Sequence, residues 1–175
     1  VGRAIRKSGI PRGEIFVTTK VWRDNLEPER VIASTESSLD RLGMDYVDLL
    51  LIHWPSEDVA LGDTLGAMGT LRDQKRVRHL GVSNFTPSLW QRALEIESVV
   101  CDQVEYHPFL DQVELLSIAL ERRLALVAYS PLAKGTVARD DTLRRIGERY
   151  GKTPAQISLR WLIQHGAVAA IPKSS

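Results

Sequence analysis

The chain has 175 residues, 43% hydrophobic and 26% charged, which is enough apolar material for one domain with a core. Its net charge of +1, with Lys and Arg scattered, argues against a nucleic-acid or membrane surface, and no apolar run reaches the roughly 20 residues of a membrane helix. The lone Cys101 excludes an internal disulfide, fits a reducing, cytoplasmic setting and reads as a small buried hydrophobe.

The sequence opens at Val1 without Met, and residues 1–7 already read as a helix. A strand is expected over residues 15–19. Val31, Ile32, Thr35, Leu39 and Leu42 then share one helical face, with Gly43 as a stop. The apolar run Val47–Ile52, broken by Asp48, reads as the next strand. Further strands are expected over residues 79–82, 101–105, 125–128 and 167–171. Leu115, Leu116, Ala119 and Leu120 mark a helix between two of them. Thr153-Pro154-Ala155-Gln156 is the sharpest helix start, with a capping hydroxyl, a proline at the first helical position and a glutamine completing a capping box. That helix is expected to run through Ile157, Trp161 and Leu162 and to stop near Gly166.

Near-continuous apolar strands are those covered on both faces, as in a parallel sheet. Strand–helix alternation without a linker implies one α/β domain over residues 1–175. A doubly wound nucleotide fold would carry Gly-x-Gly-x-x-Gly after its first strand, and none occurs. A (β/α)8 TIM barrel is therefore expected, with six of its eight strands visible. His53, His79, His107 and His165 are too dispersed for a metal site, and none is expected.

In a barrel, chemistry gathers at the C-terminal strand ends. Here those ends read Thr18-Thr19-Lys20, Ile52-His53-Trp54-Pro55, Gly81-Val82-Ser83-Asn84-Phe85, Glu105-Tyr106-His107-Pro108 (with Gln103 just before), Ala128-Tyr129-Ser130-Pro131-Leu132 and Ile171-Pro172-Lys173-Ser174. Six polar or aromatic ends in succession describe a polar site at a barrel mouth.

These segments resemble the aldo-keto reductase family over the whole chain. The stretch from Leu39-Asp40-Arg41-Leu42-Gly43 through Met44-Asp45-Tyr46-Val47-Asp48-Leu49 into Ile52-His53-Trp54-Pro55 is one signature. Gly81-Val82-Ser83-Asn84-Phe85 is a second, and Ile171-Pro172-Lys173-Ser174 a third. The flavour is that of bacterial reductases of diketogluconate and methylglyoxal.

The resemblance implies NADPH-dependent reduction of small aldehydes and ketones, keto-sugars or dicarbonyls, by a protein that is a monomer at full length. It implies Lys20 as the catalytic lysine, which lowers the pKa of a tyrosine acid. It implies His53 as the histidine that donates a hydrogen bond to the substrate carbonyl. Ser83, Asn84 and Gln103 match residues that hold the nicotinamide carboxamide. Tyr129 matches the aromatic stacked on its ring, Ser130 and Leu132 the segment along the pyrophosphate, and Lys173 and Ser174 the grip on the 2′-phosphate. Trp22 and Trp54 match aromatics lining the substrate pocket.

Each residue also has a plainer reading: an exposed lysine, a structural histidine, turn formers at Ser83 and Asn84, packed aromatics elsewhere. In the family a catalytic aspartate and tyrosine, two barrel strands and a last helix lie outside the segment matched here. The chain is therefore expected to be a fragment, inactive alone. Two rivals remain at this stage: a non-catalytic NADPH-binding redox sensor or regulator, and a barrel lyase or aldolase using Lys20 as a Schiff base.

Overall fold

The computed structural model describes residues 1–173. The chain divides into two compact units, Val1–Val100 and Cys101–Ser175. Among the described residues no helix is long and apolar enough to cross a membrane.

The first unit begins with helix α1 (Gly2–Ser8) and strand β1 (Thr18–Val21). Helix α2 (Pro28–Leu42), strand β2 (Val47–Ile52), helix α3 (Leu61–Asp73), strand β3 (Val77–Ser83) and helix α4 (Pro87–Ile96) follow. The three strands are parallel, with Lys20 opposite Leu51, Val21 opposite Ile52, and Ile52 opposite Val82. All six residues of β2 are buried, the reason its sequence does not alternate. Helix α2 buries Val31, Thr35 and Leu39 and starts with Pro28. It ends as expected at Gly43, whose φ of 63° needs the left-handed conformation that glycine adopts without strain.

β1 starts at Thr18, later than the expected residue 15. The preceding residues are held largely by side chains, with the Val17 carbonyl also accepting from the Asp48 N–H at 2.9 Å and the Leu49 N–H at 3.1 Å. Arg12 donates to the carbonyls of Ile15 at 2.6 Å and Tyr46 at 3.0 Å, and the Val17 N–H donates to the Asp48 carboxylate at 2.8 Å. Asp48, the odd residue of an apolar run, is thereby explained. Its side chain is 3% exposed and meets Arg12 at 2.8 Å and Arg78 at 2.9 Å. Both guanidiniums also lie over the Tyr46 ring, 4.1 and 4.2 Å from its centroid. A buried carboxylate is tolerable only when so compensated.

The second unit carries β4 (Val99–Glu105) from Cys101 onward, helix α5 (Val113–Arg122), β5 (Ala125–Tyr129), helices α6 (Asp141–Tyr150) and α7 (Pro154–Ile163), and β6 (Val168–Ile171). β4, β5 and β6 pair in parallel, with Gln103 opposite Val127, Glu105 opposite Tyr129, and Tyr129 opposite Ile171. The capping box of α7 forms as expected, and Asp140 caps α6 through the Leu143 N–H at 2.7 Å. α7 ends at Ile163, before Gly166, which supplies a left-handed turn residue at φ 75°. Cys101 is buried. Parallel strands alternating with helices make the class α/β.

Candidate active site

In the first unit the expected residues meet at the C-terminal ends of β1, β2 and β3. Lys20 is half-buried on β1, and His53 is the half-buried residue following β2. The His53 N–H donates to the Val21 carbonyl at 2.9 Å, tying the two strand ends together. The Trp22 ring stands edge-on to the His53 imidazole, centroids 5.0 Å apart at 84°. From β3, the Asn84 side-chain amide donates to the His53 carbonyl at 2.9 Å and to the buried Ser83 hydroxyl at 3.1 Å. Asn84 does this from φ 62°, a left-handed conformation that its short polar side chain tolerates better than most.

The electrostatics follow from this packing. Burial lowers the pKa of His53, and the positive charge of Lys20 lowers it further. Both effects disfavour a second cation beside the first. The imidazole is therefore neutral near pH 7, with one N–H to give and one lone pair to receive a proton. Trp22 is 47% and Trp54 42% exposed. Large aromatic faces held in solvent at a strand end suit a ligand-lining role better than a core one.

In the second unit Gln103 is buried on β4. Tyr129 ends β5, and its phenol pKa is raised by burial and then by the Glu105 carboxylate, so it stays neutral. The loop after it is unusual. Ser130, Ala133 and Lys134 all have φ near 50°, at 48°, 47° and 52°, and Gly135 follows at 95°. Left-handed non-glycine residues cost about 1 kcal/mol each, so a run of them marks a segment whose shape is held by its surroundings. One restraint is visible: the buried Ser158 hydroxyl donates to the Pro131 carbonyl at 2.8 Å.

Leu132, half-buried, packs its side chain against the small core of Ala133, Val137 and Leu143. Lys173 is exposed just beyond β6, and Ser174 lies outside the described residues. His107 is buried and sits 3.4 Å from Glu105, its Nδ1 accepting from the Phe109 N–H at 3.3 Å.

Sequence reasoning passed over Arg23 and Arg92. Both line a groove of about 1010 Å³ with Pro55, Ser56 and Thr86. The available signal was Arg23's position directly after Trp22.

The whole chain, residues 1–175, matches the description of the aldo/keto reductase family. It is 44% identical to an aldo-keto reductase of Mycolicibacterium smegmatis, the match covering 99% of this chain and 64% of that protein. It is 42% identical to the glyoxal reductase of Bacillus subtilis, over 99% of this chain and 63% of the relative. A crystal structure provisionally assigned as a 2,5-diketo-D-gluconic acid reductase B superposes with a TM-score of 0.96 at 45% identity, over 99% of this chain and 63% of its own. The chain thus spans a little under two thirds of the length of these relatives, and its six strands belong to an incomplete (β/α)8 barrel. Taken with the strand-end geometry, these likenesses place the chain in the aldo/keto reductase family.

Proposed function

We propose that the whole protein reduces small aldehydes and ketones, keto-sugars or dicarbonyls, with NADPH, and that residues 1–175 are part of one barrel domain carrying Lys20 and His53 as catalytic residues. The observation that carries this is the pairing of a half-buried lysine with a histidine held neutral beside it. A neutral imidazole can donate its N–H to a carbonyl oxygen and stabilise the alkoxide as it forms. Glyoxal reduction by the Bacillus subtilis relative supports the substrate class.

The donor set suits a nicotinamide nucleotide. Ser83 and Gln103 are buried uncharged polar groups, and with Asn84 they suit a carboxamide. The neutral ring of Tyr129 suits stacking. Ser130 and the Leu132 backbone would follow the pyrophosphate, and Lys173 with Ser174 the 2′-phosphate. When bound, NADPH supplies the hydride that the carbonyl carbon accepts; a proton to the oxygen completes the alcohol and leaves NADP⁺.

Lys20 favours the anion of any acid beside it and so eases proton donation. Tyr46, the tyrosine of the first unit, lies under Arg12 and Arg78 at the other end of β2. The family resemblance implies a tyrosine outside the matched segment as the proton donor.

The test is NADPH consumption by the whole protein with methylglyoxal, for wild type and Lys20→Met. The reading expects turnover that falls by about 100-fold or more in the variant. NADPH binding without turnover would favour a redox-sensing homologue, and no NADPH binding at all would sink the proposal.

A further inference from the structure

The peptide groups of His53 are held from both neighbouring strands. On one side its N–H donates to the Val21 carbonyl at 2.9 Å, which carries the ladder past the pair of Val21 with Ile52. On the other side β2 and β3 pair as far as Ile52 opposite Val82. Beyond that pair the hydrogen bond to the His53 carbonyl comes from a side chain. The Asn84 amide donates to it at 2.9 Å and to the Ser83 hydroxyl at 3.1 Å. A primary amide has two N–H donors, one for each contact.

That reach depends on an uncommon backbone. Asn84 has φ 62°. Lys75 and Arg123 share this left-handed conformation just beyond the ends of α3 and α5, where it commonly closes a helix. Asn84 adopts it directly after a strand. Its neighbours fix the chain on both sides. Ser83 is fully buried, Phe85 is 3% exposed, and Thr86 caps α4 by accepting from the Leu89 N–H at 3.3 Å. A sparsely populated conformation persists where the surroundings over-determine it, and such residues cluster at functional sites.

We propose that Asn84 is a positioning residue for His53: by holding the His53 carbonyl it sets where the imidazole presents its N–H to the substrate. The inference rests on reading His53 as the donor to the substrate carbonyl, and it adds a role to the carboxamide contact given to Asn84 above. The imidazole shares its Cα with the carbonyl that Asn84 holds, so a rotation of that peptide carries the ring with it. Trp22 bounds the ring edge-on, and Trp54 and Pro55 beyond it lie outside any strand. Without the Asn84 amide the end of β2 would be tied to β1 by the His53 N–H and would lose its tie to β3. A displacement of about 1 Å at a reacting group costs about 100-fold in rate, so a hydrogen bond remote from the reacting atoms matters through geometry.

The test uses the whole protein with methylglyoxal and saturating NADPH. Asn84→Gly accepts the left-handed backbone and removes the amide. Asn84→Asp keeps the shape and replaces the two donors with acceptors. In each, kcat should fall about tenfold, a smaller loss than a full 1 Å displacement brings. A contact that served only NADPH affinity would raise the dissociation constant and leave kcat at saturation unchanged. The His53→Gln background separates action through the imidazole from every other cause. There Asn84→Gly should change kcat by less than about twofold, because the group it positions is gone. An equal tenfold loss in both backgrounds, or an unchanged kcat in both Asn84 variants, would overturn the proposal.

A second measurement needs no turnover. The His53 ring protons lie in the ring current of Trp22, and in the cofactor-free whole protein their NMR signals should move toward those of free histidine in Asn84→Gly. If wild type leaves methylglyoxal unreduced, the reductase reading fails, and this movement would still support Asn84 as the residue that sets the imidazole. Signals that stay in place in the variant count against the positioning role whatever the turnover.

Discussion

The two ends of β2 are built from similar residue types and arranged in opposite ways. At its N-terminal end Tyr46 and Asp48 meet Arg12 and Arg78. Every charge there has a counter-charge within 2.9 Å, and the aromatic ring is covered by guanidiniums. At its C-terminal end His53 and Trp54 meet Lys20 and Trp22. There a cation sits beside a histidine with no carboxylate among the groups that shift it, and two indoles stay more than 40% exposed. One end neutralises a buried carboxylate with two guanidiniums, and the other sets a lysine beside an imidazole held in its neutral form, flanked by exposed indoles. This is the usual division of a barrel, with stability at one face and chemistry at the other.

The comparison breaks most visibly if the two ends respond alike to mutation. His53→Gln should cut turnover of the whole protein by about 100-fold or more, with a melting temperature close to wild type, as read by thermal unfolding. Asp48→Asn should do the reverse. Removing the buried charge takes the counter-charge from two partly exposed arginines and weakens its charge-assisted hydrogen bonds, and should cost about 2 kcal/mol, seen as a lower urea midpoint with little change in kcat. A stable Asp48→Asn protein would refute the account of that end.

Titration sharpens the contrast. Burial opposes ionisation of Asp48, but the Val17 N–H, Arg12 and Arg78 outweigh it and hold its pKa below the ordinary value. A depressed carboxylate contributes stability that is complete above the ordinary carboxylate range and drains away as pH falls through its folded-state pKa. Asp48→Asn should flatten that acid slope.

His53 is also depressed, but as a base. Its neutral form favours the fold above the ordinary histidine pKa of about 6.5, and that contribution is lost as pH falls and the unfolded chain takes up the proton first. An NMR titration of the His53 imidazole should give a pKa below the ordinary value. Lys20→Met should move it upward; no movement would remove Lys20 from the cause. The smallest effect is expected for Arg78→Ala, about 1 kcal/mol by urea unfolding. Its side chain is 50% exposed and Arg12 remains with Asp48.

Much of the site was legible because barrel strands end where the apolar run ends. Lys20, His53, Asn84 and Tyr129 could each be placed from the residues before them, and Gly43 and Thr153 from local backbone chemistry alone. The packing of half-buried Leu132 against a small core with residues up to Leu143 was not legible, because its partners come from the following turn and helix.

The sequence by itself determined the strand–helix order, the parallel class, the family and the positions of the candidate catalytic pair, because each depends on periodicity or on contiguous motifs. Only the tertiary structure decided why Asp48 sits in a buried strand, where β1 begins, and that Arg23 and Arg92 line one groove with Pro55. Those depend on desolvation and on polar contacts about 30 residues apart in the chain, such as Asp48 with the Val17 N–H and with Arg78. No local pattern encodes a distance of that kind, and burial sets its energetic weight.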